Sequence, residues 1–86
     1  MTHRQAILRH ALLILDRMDG TPLAGKQLAD GLRVAMSGNA PSDADAFAAV
    51  RDAEAKGYIR GIHDADLEDT MWVLTPKGGL ALDKFR

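Results

Sequence analysis

Between His3 and Met18 the apolar residues recur at helical spacing. On a wheel of about 100° per residue, Ile7, Leu8, Ala11, Leu12, Ile14, Leu15 and Met18 share one broad arc. So wide an arc suits a central helix with neighbours on two sides, and Asp19 and Gly20 end it. Leu13 falls opposite the arc's centre, among Arg9, Asp16 and Arg17. It is a candidate contact for a homodimer formed through the first helix, although a lone exposed leucine is ordinary on any surface.

Thr21 to Leu23 is too short to stand alone but long enough to add one edge to a small sheet. A second helix is expected from about Ala24 to Met36, with Leu28, Leu32, Ala35 and Met36 on one stripe; Thr21-Pro22 and Ala24-Gly25 are both plausible openings for it. Ser37 to Pro41 reads as a loop. Ser42 then caps a third helix, with Asp45 as a short-armed capping-box partner and Asp43 favourable at the positive end of the helix dipole. In that helix Phe47, Val50 and Ala53 are expected to face the core. Asp43, Ala44, Ala48, Arg51, Asp52 and Ala55 are expected outside.

Lys56 and Gly57 stop this helix, Gly57 supplying a residue free to take positive φ. A hairpin follows. Its first strand, Tyr58 to His63, sends Ile59 and Ile62 to opposite faces unless a bulge at Gly61 resets the alternation. Asp64 to Asp69 forms the tip, and Thr70 to Leu74 returns with Trp72 and Leu74 on one face and Met71 and Val73 on the other. Thr75 caps a last helix opened by Pro76, whose missing N–H does no harm there. Leu80, Ala81, Leu82 and Phe85 are expected to fold back against the first helix.

Val50, Ala53, Glu54, Lys56, Gly57, Tyr58 and Ile59, followed by Leu74-Thr75-Pro76-Lys77-Gly78, resemble the two signatures that flank the wing of winged-helix proteins. Lys26-Gln27-Leu28-Ala29 resembles the start of the helix preceding the reader helix in that family. The likeness spans residues 21 to 82. It implies an α+β, mostly α fold: a three-helix core, an antiparallel wing of two or three strands and a short C-terminal helix, all in a single domain over 1–86. By the same likeness the chain is similar to small bacterial or phage transcription regulators.

Composition narrows this picture. The 86 residues are 47% hydrophobic and 27% charged, a globular balance near the lower size for a single unstapled core. With no cysteine there is neither a disulfide framework nor a thiolate metal site. The longest apolar run, Ala11 to Leu15, is far short of the ~20 residues that span a bilayer, and no secretory leader opens the chain. The expectation is a soluble, cytoplasmic protein with no membrane partner.

Catalysis finds no footing. His3, His10 and His63 are scattered, no serine or carboxylate is spaced for a triad, and Gly25-Lys26-Gln27 lacks the glycine spacing of a phosphate loop. Asp64-x-Asp66-x-Glu68-Asp69 begins like a calcium loop but lacks its sixth-position glycine and distal glutamate. It is read as a solvated acidic tip, with no catalytic residue, metal or cofactor expected. His63 beside Asp64 changes little, since one imidazole rarely holds a transition metal.

Charge distribution raises the functional question. Net charge is only −1, yet residues 42–69 carry eight acids against three bases, while residues 1–41 and 70–86 each have a surplus of two positive charges. In the family the reader helix enters the major groove and a basic wing touches phosphate. Here the helix from Ser42 to Gly57 holds four acids and two bases, and the tip holds four acids and no base. Two readings stay open. In the leading one, the reader helix (Asp43, Ala44, Ala48, Arg51, Asp52, Ala55) and the wing (His63, Asp64, Asp66, Glu68, Asp69) meet a protein partner with a basic surface or join a regulatory assembly. In the alternative, the chain is a DNA-binding regulator that reads a guanine through Arg51, touches backbone through Asn39 or Ser42, or docks through Arg4, Arg9, Arg17 and Lys26.

Overall fold

Thr2 opens the first helix with a true capping box, a T-x-x-Q signature that the apolar pattern alone passes over. Its hydroxyl accepts from the Gln5 amide at 3.1 Å while the Gln5 side chain accepts from the Thr2 amide at 2.9 Å. Helix α1 then runs His3–Arg17. The computed structural model describes residues 2–66 and 68–85; Leu67, inside the expected wing tip, lies outside the described residues. Strand β1 (Leu23–Ala24), helix α2 (Gly25–Ala35), helix α3 (Asp43–Ala55), strands β2 (Ile59–Asp64) and β3 (Asp69–Leu74) and helix α4 (Pro76–Phe85) follow. Of the two openings considered for α2, Ala24-Gly25 is the one used, and the short strand sits slightly later than expected.

Among the described residues there are four helices and one three-stranded antiparallel sheet, in the order β1-β3-β2, so the fold is α+β and mostly α. The element order is compatible with a winged helix. The β2–β3 register is unbroken, Ile59 opposite Leu74, Gly61 opposite Trp72 and His63 opposite Thr70, so Gly61 makes no bulge. Its role is space. A Cβ there would meet the Trp72 ring and the Thr70 methyl at 2.8 Å, so only glycine lets the indole lie flat across the strand. Alternation therefore holds: Ile59 is buried and Ile62 is exposed on the other face.

The core gathers Ile7, Leu8, Ala11, Leu12 and Leu15 of α1 with Leu28, Leu32, Val50, Ile59, Trp72 and Leu82. α1 packs against α2, α3 and α4 as well as β3, so the wide arc has neighbours on more than two sides. Leu13 is consequently not the exposed residue expected opposite the arc; it is half-buried and packed against the core. Within α3 the inward stripe is Ala46, Ala49, Val50 and Ala53, small residues that let the helix approach its neighbours closely. That stripe turns Phe47 out. Expected in the core, it is 59% exposed. Leu80 is a second correction: α4 buries Gly78 and Leu82 and half-buries Ala81 and Phe85, leaving Leu80 on the opposite side at 67% exposure.

The base of the hairpin locks α3 to α4. Gly57 takes φ +78, as its place after the helix requires. The Thr75 hydroxyl accepts from the Gly78 amide at 3.0 Å and lies 2.6 and 3.0 Å from the Gly57 and Tyr58 carbonyls, one of which takes its proton. The Thr75 amide donates to Tyr58 at 3.0 Å. The Leu-Thr-x-x-Gly pattern thus has a local cause. Threonine caps and bridges, and glycine leaves room where any Cβ would collide with the Tyr58 carbonyl oxygen.

Candidate interaction face

The face in question is built from α3, the start of α2 and the hairpin. Ser42 caps α3 by accepting from the Asp45 amide at 3.1 Å. Of the outward positions, Asp43, Ala44, Arg51 and Ala55 are exposed, whereas Ala48 and Asp52 are half-buried. Several of the charges are already engaged. Arg33 of α2 reaches Asp30 at 2.9 Å and Asp43 at 3.0 Å, and Lys56 pairs with Asp52 at 3.1 Å. Exposed pairs of this kind contribute little stability, but they reduce the cations left to meet a ligand. Arg51 stands over the Phe47 ring, 5.0 Å from its centroid.

At the tip, the Asp64 side chain accepts from the Asp66 amide at 3.0 Å, a short local turn. His63, Asp66 and Glu68 are exposed, and Asp64 is half-buried. Asp69 departs from the expected solvated acid. Its carboxylate accepts from the Lys26 amide at 3.2 Å and from the Thr70 amide at 2.8 Å. Ala24, the N-cap residue of α2, makes no side-chain cap, so the wing supplies one from forty-three residues away. Gly25 permits this approach, since a Cβ there would meet the Asp69 carboxylate at 2.9 Å. Among the described residues no three His, Cys, Asp or Glu side chains gather where a metal ion could be held.

Between these elements lies a groove. One hollow of about 480 Å³ is lined by Ala29 and Leu32 of α2, Ala46 and Val50 of α3, and Trp72 of β3, with Lys26, Asp30, Arg33, Asp43 and Asp69 along its rim. A shallower one of about 290 Å³ continues past Arg51, Glu54 and His63. Phe47, Thr70 and Trp72 border both, so Phe47 stands between an apolar hollow and a more polar one. The sequence-level wheel missed this cleft because it placed Phe47 inside. The available signal was the alanine-rich stripe, which can bury itself without a large side chain.

The residues offered for DNA contact do not converge. Arg4 and Arg17 stand thirteen positions apart on α1, about 20 Å along the helix at ~1.5 Å per residue. Arg9 is half-buried, and its Nε has no hydrogen-bond partner among the described residues. The Asn39 amide lies 3.3 Å from His3 Nδ1, tying the loop back to α1.

With this geometry in place, comparison with known proteins is informative chiefly about fold. No family model matches the chain, and no curated protein matches it. Among solved structures, the chain is similar to a protein of Thermoplasma acidophilum provisionally described as a transcriptional regulator, with a TM-score of 0.73 and 16% identity. The match covers 94% of this chain and 75% of the other. At that identity the likeness is one of fold. Separately, no helix among the described residues is long and apolar enough to cross a membrane.

Proposed function

We propose that this chain is a non-enzymatic winged-helix binding module, a three-helix core with a β-wing, whose α3 and wing face engages a protein with a basic surface within a regulatory assembly. The observation that carries this reading is Phe47, an aromatic side chain 59% exposed at the centre of the face where a nucleic-acid reader would carry cations. Beside it lies an apolar cleft whose rim holds Asp30, Asp43 and Asp69 with Lys26 and Arg33, and Glu54 lines the neighbouring hollow. Exposed aromatic residues above apolar hollows are the usual anchors of protein interfaces. Carboxylates in the same place repel phosphate and attract lysine and arginine.

A second reading has its own support. The Thermoplasma protein of similar fold is described as a transcriptional regulator, which favours DNA as the ligand, as does the wing signature itself. Fold alone is a weak warrant for function, and the local charge opposes this reading. A titration of fluorescent random duplex DNA at low salt tests the choice. The expected result is no binding below millimolar protein; micromolar binding that weakens steeply with added salt would replace the protein-binding reading with the DNA one.

A further inference from the structure

The hairpin leaves one sheet edge without a partner. β3 lies between β1 and β2, and among the described residues no strand pairs with the far side of β2. The direction of its remaining backbone groups follows from the register. The Thr75 amide donates to the Tyr58 carbonyl across the first rung, and bonded and unbonded rungs alternate along an antiparallel ladder. Arg60, Ile62 and Asp64 therefore bond to β3, while Gly61 and His63 turn their N–H and C=O groups outward. Open edges are commonly blunted by lysine, proline or a bulge, and β2 has none of these.

We propose that the β2 edge pairs antiparallel with the β2 edge of a second copy, about a two-fold axis at Ile62. Arg60-Gly61-Ile62-His63-Asp64 is self-complementary in that register. Gly61 faces His63 of the second copy, and their outward groups exchange hydrogen bonds on both sides of the axis. Ile62, 44% exposed on the outer face, meets its own counterpart on the rung where side chains approach most closely, flanked by half-buried Met71. On the same face Arg60 stands opposite Asp64 of the second copy, and the axis makes this pair twice. The Asp64 carboxylate already accepts from the Asp66 amide, an uncharged donor, and has acceptor sites for a guanidinium as well. On the inner face the incoming imidazole lies over Gly61, where the absent side chain leaves the hollow of about 290 Å³ beside Phe47 and Glu54 open. Moving the axis by one residue either way opposes Ile62 to Arg60 or to Asp64, and odd registers misalign the outward groups. This fit selects a second copy over an unrelated strand. The contact is isologous, so it closes at two chains, and it does not depend on which ligand the α3 face takes.

Sedimentation velocity on the full chain from micromolar to millimolar concentration, together with amide hydrogen exchange followed by NMR, tests the pairing. The expected result is a mass that rises with concentration and stops at two chains. The Gly61 and His63 amides, which face outward in a single chain, should exchange slowly in the dimer and quickly on dilution. Ile62→Lys sets two lysines face to face, and His63→Pro removes an outward donor that β3 does not use. Each variant should sediment as a single chain, with circular dichroism confirming that it remains folded. The exchange measurement uses the native chain and so stands whether or not the variants fold. A native chain that stays single at millimolar concentration overturns the inference. So does a dimer whose Gly61 and His63 amides exchange as fast as in the dilute chain, or one that persists in a folded Ile62→Lys variant.

Discussion

At the base of the β2–β3 hairpin, Thr75 ties the Gly57 and Tyr58 carbonyls to the first turn of α4, and Gly78 presses against the Tyr58 carbonyl with no room to spare. At the other end, Asp64, Asp66 and Glu68 belong to a turn whose Glu68 takes φ +50, and Asp69 reaches back to the start of α2. The same two strands therefore join a region that fixes the fold to one that presents charge. Substitutions at the base should destabilise the protein, whereas most at the tip should change only what it meets.

The largest effect is expected from Gly78→Ala. Its new methyl would occupy the position of the Tyr58 carbonyl oxygen, and relief requires moving α4 away from the hairpin, a cost of about 3 kcal/mol by analogy with overpacked cores. Urea denaturation measures it, and a loss below about 1 kcal/mol would show that the helix can shift freely. Thr75→Val should follow at about 1–2 kcal/mol. It keeps the shape but removes the cap on the Gly78 amide and the donor to the hairpin carbonyls.

The tip contains its own contrast. Asp69→Ala should cost about 1 kcal/mol, because the α2 amide of Lys26 then loses its cap. Asp66→Ala should stay within about 0.5 kcal/mol, as for an ordinary exposed substitution. Equal melting behaviour of the two variants would mean that Asp69 is as dispensable as its neighbour and that α2 needs no cap from the wing.

How far the sequence discloses each region follows from the range of the interactions involved. Gly57, Pro76 and the Thr75 cap on the Gly78 amide act on neighbours close in sequence, and their residue types already name the conformation they require, whereas the Thr75 bridge to the Gly57 and Tyr58 carbonyls spans the hairpin. The Ser42 cap is equally local. Asp69 is different: its partner lies across the sheet, and nothing in an acidic hexapeptide separates a capping carboxylate from a solvated one. The sequence did contain a clue, since Ala24 cannot cap α2 and the orphaned amides must find an acceptor elsewhere. Phe47 and Leu80 were misplaced for another reason. α3 has alanines on every side, and α4 is short and half apolar, so periodicity could not fix which stripe faces inward until the neighbouring helices were present. Leu13 shows the same ambiguity, resolved by the extra contacts of α1.

The most informative effect for function is expected at Phe47. Replacing a 59% exposed phenylalanine by serine removes less than half of its surface from contact, so Phe47→Ser should cost only about 1–2 kcal/mol. A core phenylalanine would instead cost roughly 3–5 kcal/mol on truncation. The outcome thus separates a residue that holds the protein together from one displayed to a partner. A large loss would show that the ring closes over the cleft in solution and belongs to the core after all, leaving the α3 face smooth and acidic. A loss of that smaller size leaves an aromatic side chain beside Arg51 and an apolar cleft, with more surface exposed than its part in the fold requires. Binding is then the physical account that remains for it.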